Sequence, residues 1–131
     1  MEEFAVYTDG GARGNPGPAA CAFVVLNNKN EEVYSEGSYL GETTNNIAEY
    51  SGVLKAIEWL SDRPAKFYLD SELVVKQLRG EYKIKNLELQ KLHSKIDAKK
   101  YSWQHVRREQ NARADEIVNQ TLDAKIGNRK I

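Results

Sequence analysis

Apolar and polar positions alternate from Glu3 to Thr8, the period of a half-buried strand. Ala20 to Leu26 loses the alternation and is filled with β-branched and aromatic residues, which predicts a second, more deeply buried strand. Asn27-Asn28-Lys29-Asn30 reads as a turn, and Val33 to Leu40 as a third strand. Connections this short join antiparallel neighbours, so the chain opens as a three-stranded meander. At Thr44 the period changes. Ile47, Ala48, Tyr50, Val53, Leu54, Ile57 and Leu60 share one helical face, with Thr44 or Asn45 available as the cap. Pro64 helps end the connection to a short strand, Lys66 to Leu69, and strand-helix-strand implies a parallel crossover. Two short helices, Ser71 to Leu78 and Leu87 to Ala98, a fifth strand, Tyr101 to Val106, and a helix from Asn111 to Ile126 complete the pattern. The fold class is α/β: a mixed five-stranded sheet with helices packed on its faces.

A chain of 131 residues fits one domain, 1–131, and its 40% hydrophobic and 29% charged residues are ordinary globular usage. The longest strictly apolar run, Ala19 to Leu26, is far shorter than the roughly 20 residues a membrane helix needs. Met1-Glu2-Glu3 does not resemble a signal peptide, so a cytoplasmic location is expected. Cys21 is the only cysteine, which excludes a disulfide framework and a cysteine-based metal cluster; its apolar surroundings make it a core residue. The formal net charge of +0 conceals a segregation along the chain. Residues 1–75 carry 5 basic and 12 acidic side chains, and residues 76–108 carry 10 and 3. A basic segment beside an acidic one suits phosphates on one surface and metal ions on the next, and equally a solvated helix face.

Four carboxylates stand where strands end or helices begin: Asp9, Glu49, Asp70 and Asp115. If the first and fourth strands are parallel neighbours, Asp9 and Asp70 lie side by side at their carboxyl ends, where open α/β sheets place their sites. Oxygen donors without His or Cys suit Mg²⁺ or Mn²⁺ rather than zinc, and gathering such charges without a cation costs stability. Any one of these residues taken alone fits a turn former equally well. The glycine-rich stretch Gly10-Gly11-Ala12-Arg13-Gly14-Asn15-Pro16-Gly17 lets backbone approach a ligand closely, or forms only a wide loop.

Four segments, YTDGGARGNPGPAACAFVV, TTNNIAEYSGVLKAIEWL, LDSELVVKQL and HVRREQNARADEIVNQ, resemble the blocks of the ribonuclease H type I family and occur in that family's order. The resemblance implies the ribonuclease H-like sheet, three antiparallel strands and then two parallel, with helices on both faces. It also implies hydrolysis of the RNA strand of an RNA–DNA hybrid with two Mg²⁺ ions, Mn²⁺ able to replace them, leaving 5′-phosphate and 3′-hydroxyl ends. It carries the catalytic, metal-holding carboxylates onto Asp9, Glu49, Asp70 and Asp115. Many members place a histidine in the loop before the last acidic helix. Here that loop, Val106 to Asn111, lacks it and is similar to the subgroup with an Arg-Glu-x-Asn loop, which puts Arg108 in the histidine's place. An arginine cannot shuttle a proton near neutral pH, so Arg108 would act on phosphate charge, or else is a surface arginine.

Telling RNA from DNA requires groups that see 2′-hydroxyls across a wide minor groove. Thr44, Asn45 and Asn46 match the family's Thr-Asn-Asn, which resembles a contact point for the two backbones, with helix capping as their alternative. Ser71 and the backbone of Gly10 and Gly11 are similar candidates for RNA contacts, and Asn15 is a further nucleic-acid-binding candidate. The basic, tryptophan-rich handle that some members insert is reduced here to Arg79 through Asn86. Lys76, Arg79, Lys83, Lys85 and Lys91 would then supply diffuse phosphate contacts, and Asn86 matches a family contact loosely. Trp59 and Trp103 read as core, and Tyr82 is the better stacking candidate. Double-stranded RNA is a further candidate substrate; no membrane and no protein partner is implied. The competing readings are another nuclease of the same superfamily, which would ordinarily need extra domains, and a catalytically silent hybrid-binding module, which would be expected to have lost carboxylates.

Overall fold

The computed structural model describes residues 2–127. Strands β1 (Phe4–Ala12), β2 (Gly17–Leu26), β3 (Glu32–Thr43), β4 (Ala65–Leu69) and β5 (Ser102–His105) form one sheet in the order β3-β2-β1-β4-β5. The first three pair antiparallel, then β4 joins β1 and β5 joins β4 in parallel, as the short turns and the crossover helix require. Helices α1 (Asn45–Leu60), α2 (Glu72–Leu78), α3 (Leu87–His93) and α4 (Ala112–Ile126) complete the fold.

The sheet is covered on both faces, and β2 shows why its sequence reads as continuously apolar. Phe23 and Val25 join the larger core with Tyr50 and Val53 of α1, Val74 and Val75 of α2, and Leu89 of α3. The alternate residues Ala20, Ala22 and Val24 join Ala114, Ile117, Val118 and Leu122 of α4. Cys21 is a buried core residue, and so is Trp103, whose ring centroid lies 4.7 Å from that of Phe67. Trp59 stacks on Tyr34 at 5.1 Å beneath the Arg63 guanidinium. Among the described residues no helix is long and apolar enough to cross a membrane.

Four element boundaries depart from expectation by three residues or more: β2 begins at Gly17 rather than Ala20 and β3 runs to Thr43 rather than Leu40, because the two pair along that length, and β1 and α3 differ at their ends. β1 continues past Thr8 to Ala12 because β2 keeps pairing with it through Gly10↔Cys21 and Ala12↔Ala19, although the parallel ladder to β4 stops at Thr8↔Leu69. Asp9 therefore lies inside a strand, at the point where one of its two neighbours departs. Helix α3 stops at His93 rather than Ala98: Ser94 Oγ donates to the Lys91 carbonyl (2.6 Å), and Ile96 N–H bonds back only to His93 O, turning Ile96 into the core. A single 3₁₀ turn, Ala98–Lys100, then leads into β5.

Candidate active site

The β1–β4 ladder ends where the next residues of the two strands are Asp9 and Asp70, so both carboxylates emerge together at the carboxyl edge of the sheet. The third comes from α1, whose start is fixed by Thr44: its Oγ1 accepts from Ile47 N–H at 3.3 Å. Glu49 follows in the second turn, and the absence of a side chain at Gly10 lets that turn rest on β1. One oxygen each from Asp9, Glu49 and Asp70 lies within 4.8 Å of the others. Asp115, exposed in the first turn of α4, is not among the three but lines the same cavity of about 390 Å³, with Arg13 and Arg108 also in its wall.

The electrostatics of this cluster are unfavourable as it stands. Asp9 and Glu49 are each only 7% exposed, so two like charges are crowded where water cannot screen them. Burial, then the Asp70 charge, pushes the Asp9 carboxyl up to about 7, against an opposing hydrogen bond from the Gly10 backbone. Burial followed by the charges of Asp9 and Asp70 holds Glu49 well above the usual carboxylate range. Glu49 Oε2 is buried without a hydrogen-bond partner, and among the described residues no lysine or arginine is ion-paired to any of the three. An orphaned carboxylate oxygen in an all-oxygen donor set with no counter-charge fits a hard divalent cation.

Asn111 is a part of this site that sequence reasoning placed only in a loop and at a helix start. It is 1% exposed, and its Nδ2 donates to Thr8 O (2.8 Å) and to Asp70 Oδ2 (3.1 Å). One amide thus joins β1 where its ladder to β4 ends, the Asp70 carboxylate and the start of α4. Its partners lie 103 and 41 residues away, and no local pattern announces such a contact. The preceding 3₁₀ turn, Arg108–Asn111, is closed by Arg107 N–H donating to Gln110 Oε1 at 3.1 Å, and it presents Arg108 to the cavity.

The family model for RNase H matches residues 1–123. The chain belongs to the RNase H family. It is 35% identical over 128 residues to the bifunctional protein Rv2228c of Mycobacterium tuberculosis, covering 91% of this chain and 35% of that protein. Ribonuclease HI of Halobacterium salinarum is 35% identical over 127 residues, 89% of this chain and 63% of that protein. The chain therefore spans about a third to under two thirds of the length of these curated relatives. Among solved structures, LC11-RNase H1 in complex with an RNA/DNA hybrid superposes with a TM-score of 0.90 at 39% identity, covering 95% of this chain and 99% of the other.

Within this RNase H site the residues expected to read nucleic acid fall into two groups. Gly10, Gly11 and Asn45 line the carboxylate cavity. Asn45 Oδ1 accepts from Ala12 N–H (2.8 Å) and Asn45 N–H donates to Asn15 Oδ1 (3.0 Å), so Asn15 and Asn45 fasten the β1–β2 loop to the start of α1. Thr44, Ser71 and Asn86 are the side-chain caps of α1, α2 and α3, with Asn46 half-buried beside the first of them. Lys76 and Arg79 stand outside the cavity. Lys76 Nζ is 3.4 Å from Tyr82 Oη and 3.9 Å from Glu72, and Tyr82 is exposed. Arg79 Nε donates to Trp103 O at 2.7 Å, tying α2 to the outer strand β5, so only part of its guanidinium is free for phosphate.

Proposed function

We propose that this chain is an endoribonuclease that hydrolyses the RNA strand of RNA–DNA hybrids, acting as one domain over residues 1–131 in the cytoplasm. The observation that carries the reading is the convergence of Asp9, Glu49 and Asp70 with a buried, unpartnered Glu49 oxygen. The hybrid bound by the 39% identical LC11-RNase H1 supports the substrate class. Asp9, Glu49, Asp70 and Asp115 would hold two Mg²⁺ ions, for which Mn²⁺ can substitute. When bound, such ions supply an activated water and stabilise the leaving 3′ oxygen, giving 5′-phosphate and 3′-hydroxyl ends. The chain's own residues do the rest. To hold the ions Asp9 and Glu49 would have to be ionised, against the burial that favours their protonated forms. Gly10 and Gly11 offer backbone close to the carboxylates, Asn15 and Thr44 through Asn46 the wall along the minor groove, and Ser71 the edge beside Asp70. Lys76, Arg79 and Asn86 would meet phosphates farther along the duplex.

The Arg108-Glu109-Gln110-Asn111 sequence and the position of Arg108 in the cavity wall support membership of the Arg-Glu-x-Asn loop subgroup, in which Arg108 would set a permanent positive charge at the phosphate being cut. Arg108→Ala is expected to lower kcat by roughly 10–100-fold with the hybrid KM within about threefold, because a transition-state charge contact acts on kcat. Steady-state kinetics on a labelled hybrid check this; an unchanged kcat returns Arg108 to the surface.

The whole reading is tested by incubating the protein with end-labelled hybrid, double-stranded RNA and double-stranded DNA in Mg²⁺ or EDTA. Cleavage of the RNA strand, lost in EDTA, is expected, and the double-stranded RNA arm measures breadth. Hybrid binding without cleavage by folded protein in either Mg²⁺ or Mn²⁺ would replace the nuclease with a silent binding module.

A further inference from the structure

We infer that Arg13 is a positioning residue for the acidic site: it holds α4, and with it Asp115, against the loop between β1 and β2. The inference rests on the ribonuclease reading above. Arg13 Nη2 lies 2.7 Å from Asp123 Oδ1 and donates to the Asn119 backbone oxygen and Oδ1, both at 3.4 Å. Asp115, Asn119 and Asp123 recur at every fourth position, so they form one stripe along α4. Arg13 grips the second and third members of that stripe, and the first is the carboxylate that must meet the metal site. Arg13, Asp115 and Asn119 all line the carboxylate cavity.

The arrangement amounts to a two-point mount. At its near end α4 is pinned by Asn111, through the bonds to Thr8 O and Asp70 Oδ2. Asp115 lies about 6 Å farther along the helix axis, and Asp123 about 12 Å beyond that, so the carboxylate sits between two attachments. The loop that carries Arg13 is itself immobilised. Ala12 N–H bonds to Asn45 Oδ1, Asn45 N–H to Asn15 Oδ1, and Arg13 N–H to Pro18 O at 2.8 Å. A braced loop is an anchor, and the helix is the body it locates. Asp115 itself is exposed and is not in the tight triad, so its distance from the triad depends on how α4 is held. A partly exposed ion pair adds little to overall stability. Its consequence should therefore appear in metal binding more than in melting.

The test uses Arg13→Met, Asp123→Asn, the double substitution and Arg13→Lys. Each single substitution is expected to raise the Mg²⁺ concentration for half-maximal hybrid cleavage roughly 3–10-fold, with kcat at saturating Mg²⁺ and the hybrid KM within about twofold. The double variant should be no worse than either single one, because both remove the same contact, and Arg13→Lys should recover most of the loss. Without substrate, Mg²⁺ titration followed by the shift in melting temperature should show the same weakened binding. Unchanged Mg²⁺ dependence in both single variants overturns the inference. So does a defect confined to Arg13→Met and expressed in the hybrid KM, which would make Arg13 a substrate contact. If the wild-type protein cleaves nothing, the ribonuclease reading fails by itself, and the substrate-free Mg²⁺ titration decides the role of Arg13 alone.

Discussion

Asp9→Asn is expected to reduce hybrid cleavage by about 10³-fold and, in the same protein without metal, to raise the melting temperature at pH 8 by roughly 5–10 °C. The two effects share one cause. Asp9 is buried beside Glu49 and Asp70, and its carboxyl is pushed up to about 7 from an ordinary value of 3.8. A folded-state pKa above the unfolded one means that the native chain binds the proton more tightly than the unfolded chain does. The destabilisation is therefore fully present above pH 7. It is relieved as the pH falls through 7 toward 4, where both states are protonated. A shift of this size corresponds to about 2–4 kcal/mol, which a neutral amide of the same shape recovers. At pH 5 Asp9 is largely protonated already, so the advantage of the asparagine variant should shrink. Calorimetry in EDTA at pH 8 and pH 5 checks both signs. A variant that melts below wild type at pH 8 without metal would mean that the cluster carries no repulsive load.

The same titration ties stability to function. On the proposed reading, a cation entering the site must displace the proton that Asp9 and Glu49 retain, so Mg²⁺ affinity should fall as the pH drops below about 7. Added Mg²⁺ should raise the melting temperature of wild type at pH 8 and have little effect on Asp9→Asn. A site that costs stability when empty is one whose residues were not selected for packing. This distinguishes the cluster from the exposed ion pairs elsewhere on the surface, such as Arg113 with Glu32.

Much of the architecture was legible because local periods and global topology agree. The switch from strand period to helical period at Thr44, and the short turns before it, pointed to an antiparallel three-stranded meander and a parallel crossover, both of which the pairings reproduce. Asp9 and Asp70 were expected side by side on the condition that the first and fourth strands are parallel neighbours; the crossover supplies the parallel sense, and the β1–β4 pairing meets the condition. The depth of Glu49 was not legible: its burial depends on how closely α1 approaches β1, and that is decided by the missing side chain at Gly10. Asn111 and Arg13 were invisible as site-building residues for a related reason. Each acts by joining elements distant in sequence, and an amide or guanidinium carries no periodic signature. At Arg79 charge patterning pointed to a diffuse phosphate contact but gave no sign that the Trp103 carbonyl accepts from its Nε, which leaves only the rest of the guanidinium to meet phosphate. Side-chain caps raise a subtler issue at Thr44, Ser71 and Asn86. Their oxygens already accept from helix N–H groups, so any contact with nucleic acid must use the hydroxyl proton of Thr44 or Ser71, the amide nitrogen of Asn86, or the remaining lone pair of each oxygen.

Gly10→Ala should separate this architecture from its neighbour position more sharply than any charge change. A Cβ at Gly10 would stand 2.2 Å from the Ala48 carbonyl carbon, 2.3 Å from its oxygen and 2.5 Å from Glu49 N. All three are backbone atoms, so no rotamer change can make room, and α1 must lift from β1 at the very turn that carries Glu49. A loss of about 2–3 kcal/mol is expected from overpacking. Displacing Glu49 by about 1 Å should lower cleavage by roughly 10²-fold even where the variant is fully folded. Gly11→Ala is the control, because its Cβ would meet nothing closer than Asn45 Oδ1 at 3.9 Å. Its stability should stay within about 0.5 kcal/mol of wild type. Thermal melting and single-turnover cleavage of both variants, made at a temperature where each is folded, read the difference. If Gly10→Ala melts and cleaves like wild type, α1 is not held at the distance that brings Glu49 to Asp9. If Gly11→Ala keeps its stability yet loses hybrid affinity, the added methyl is obstructing the substrate, and Gly11 is glycine for the sake of the RNA backbone rather than the fold.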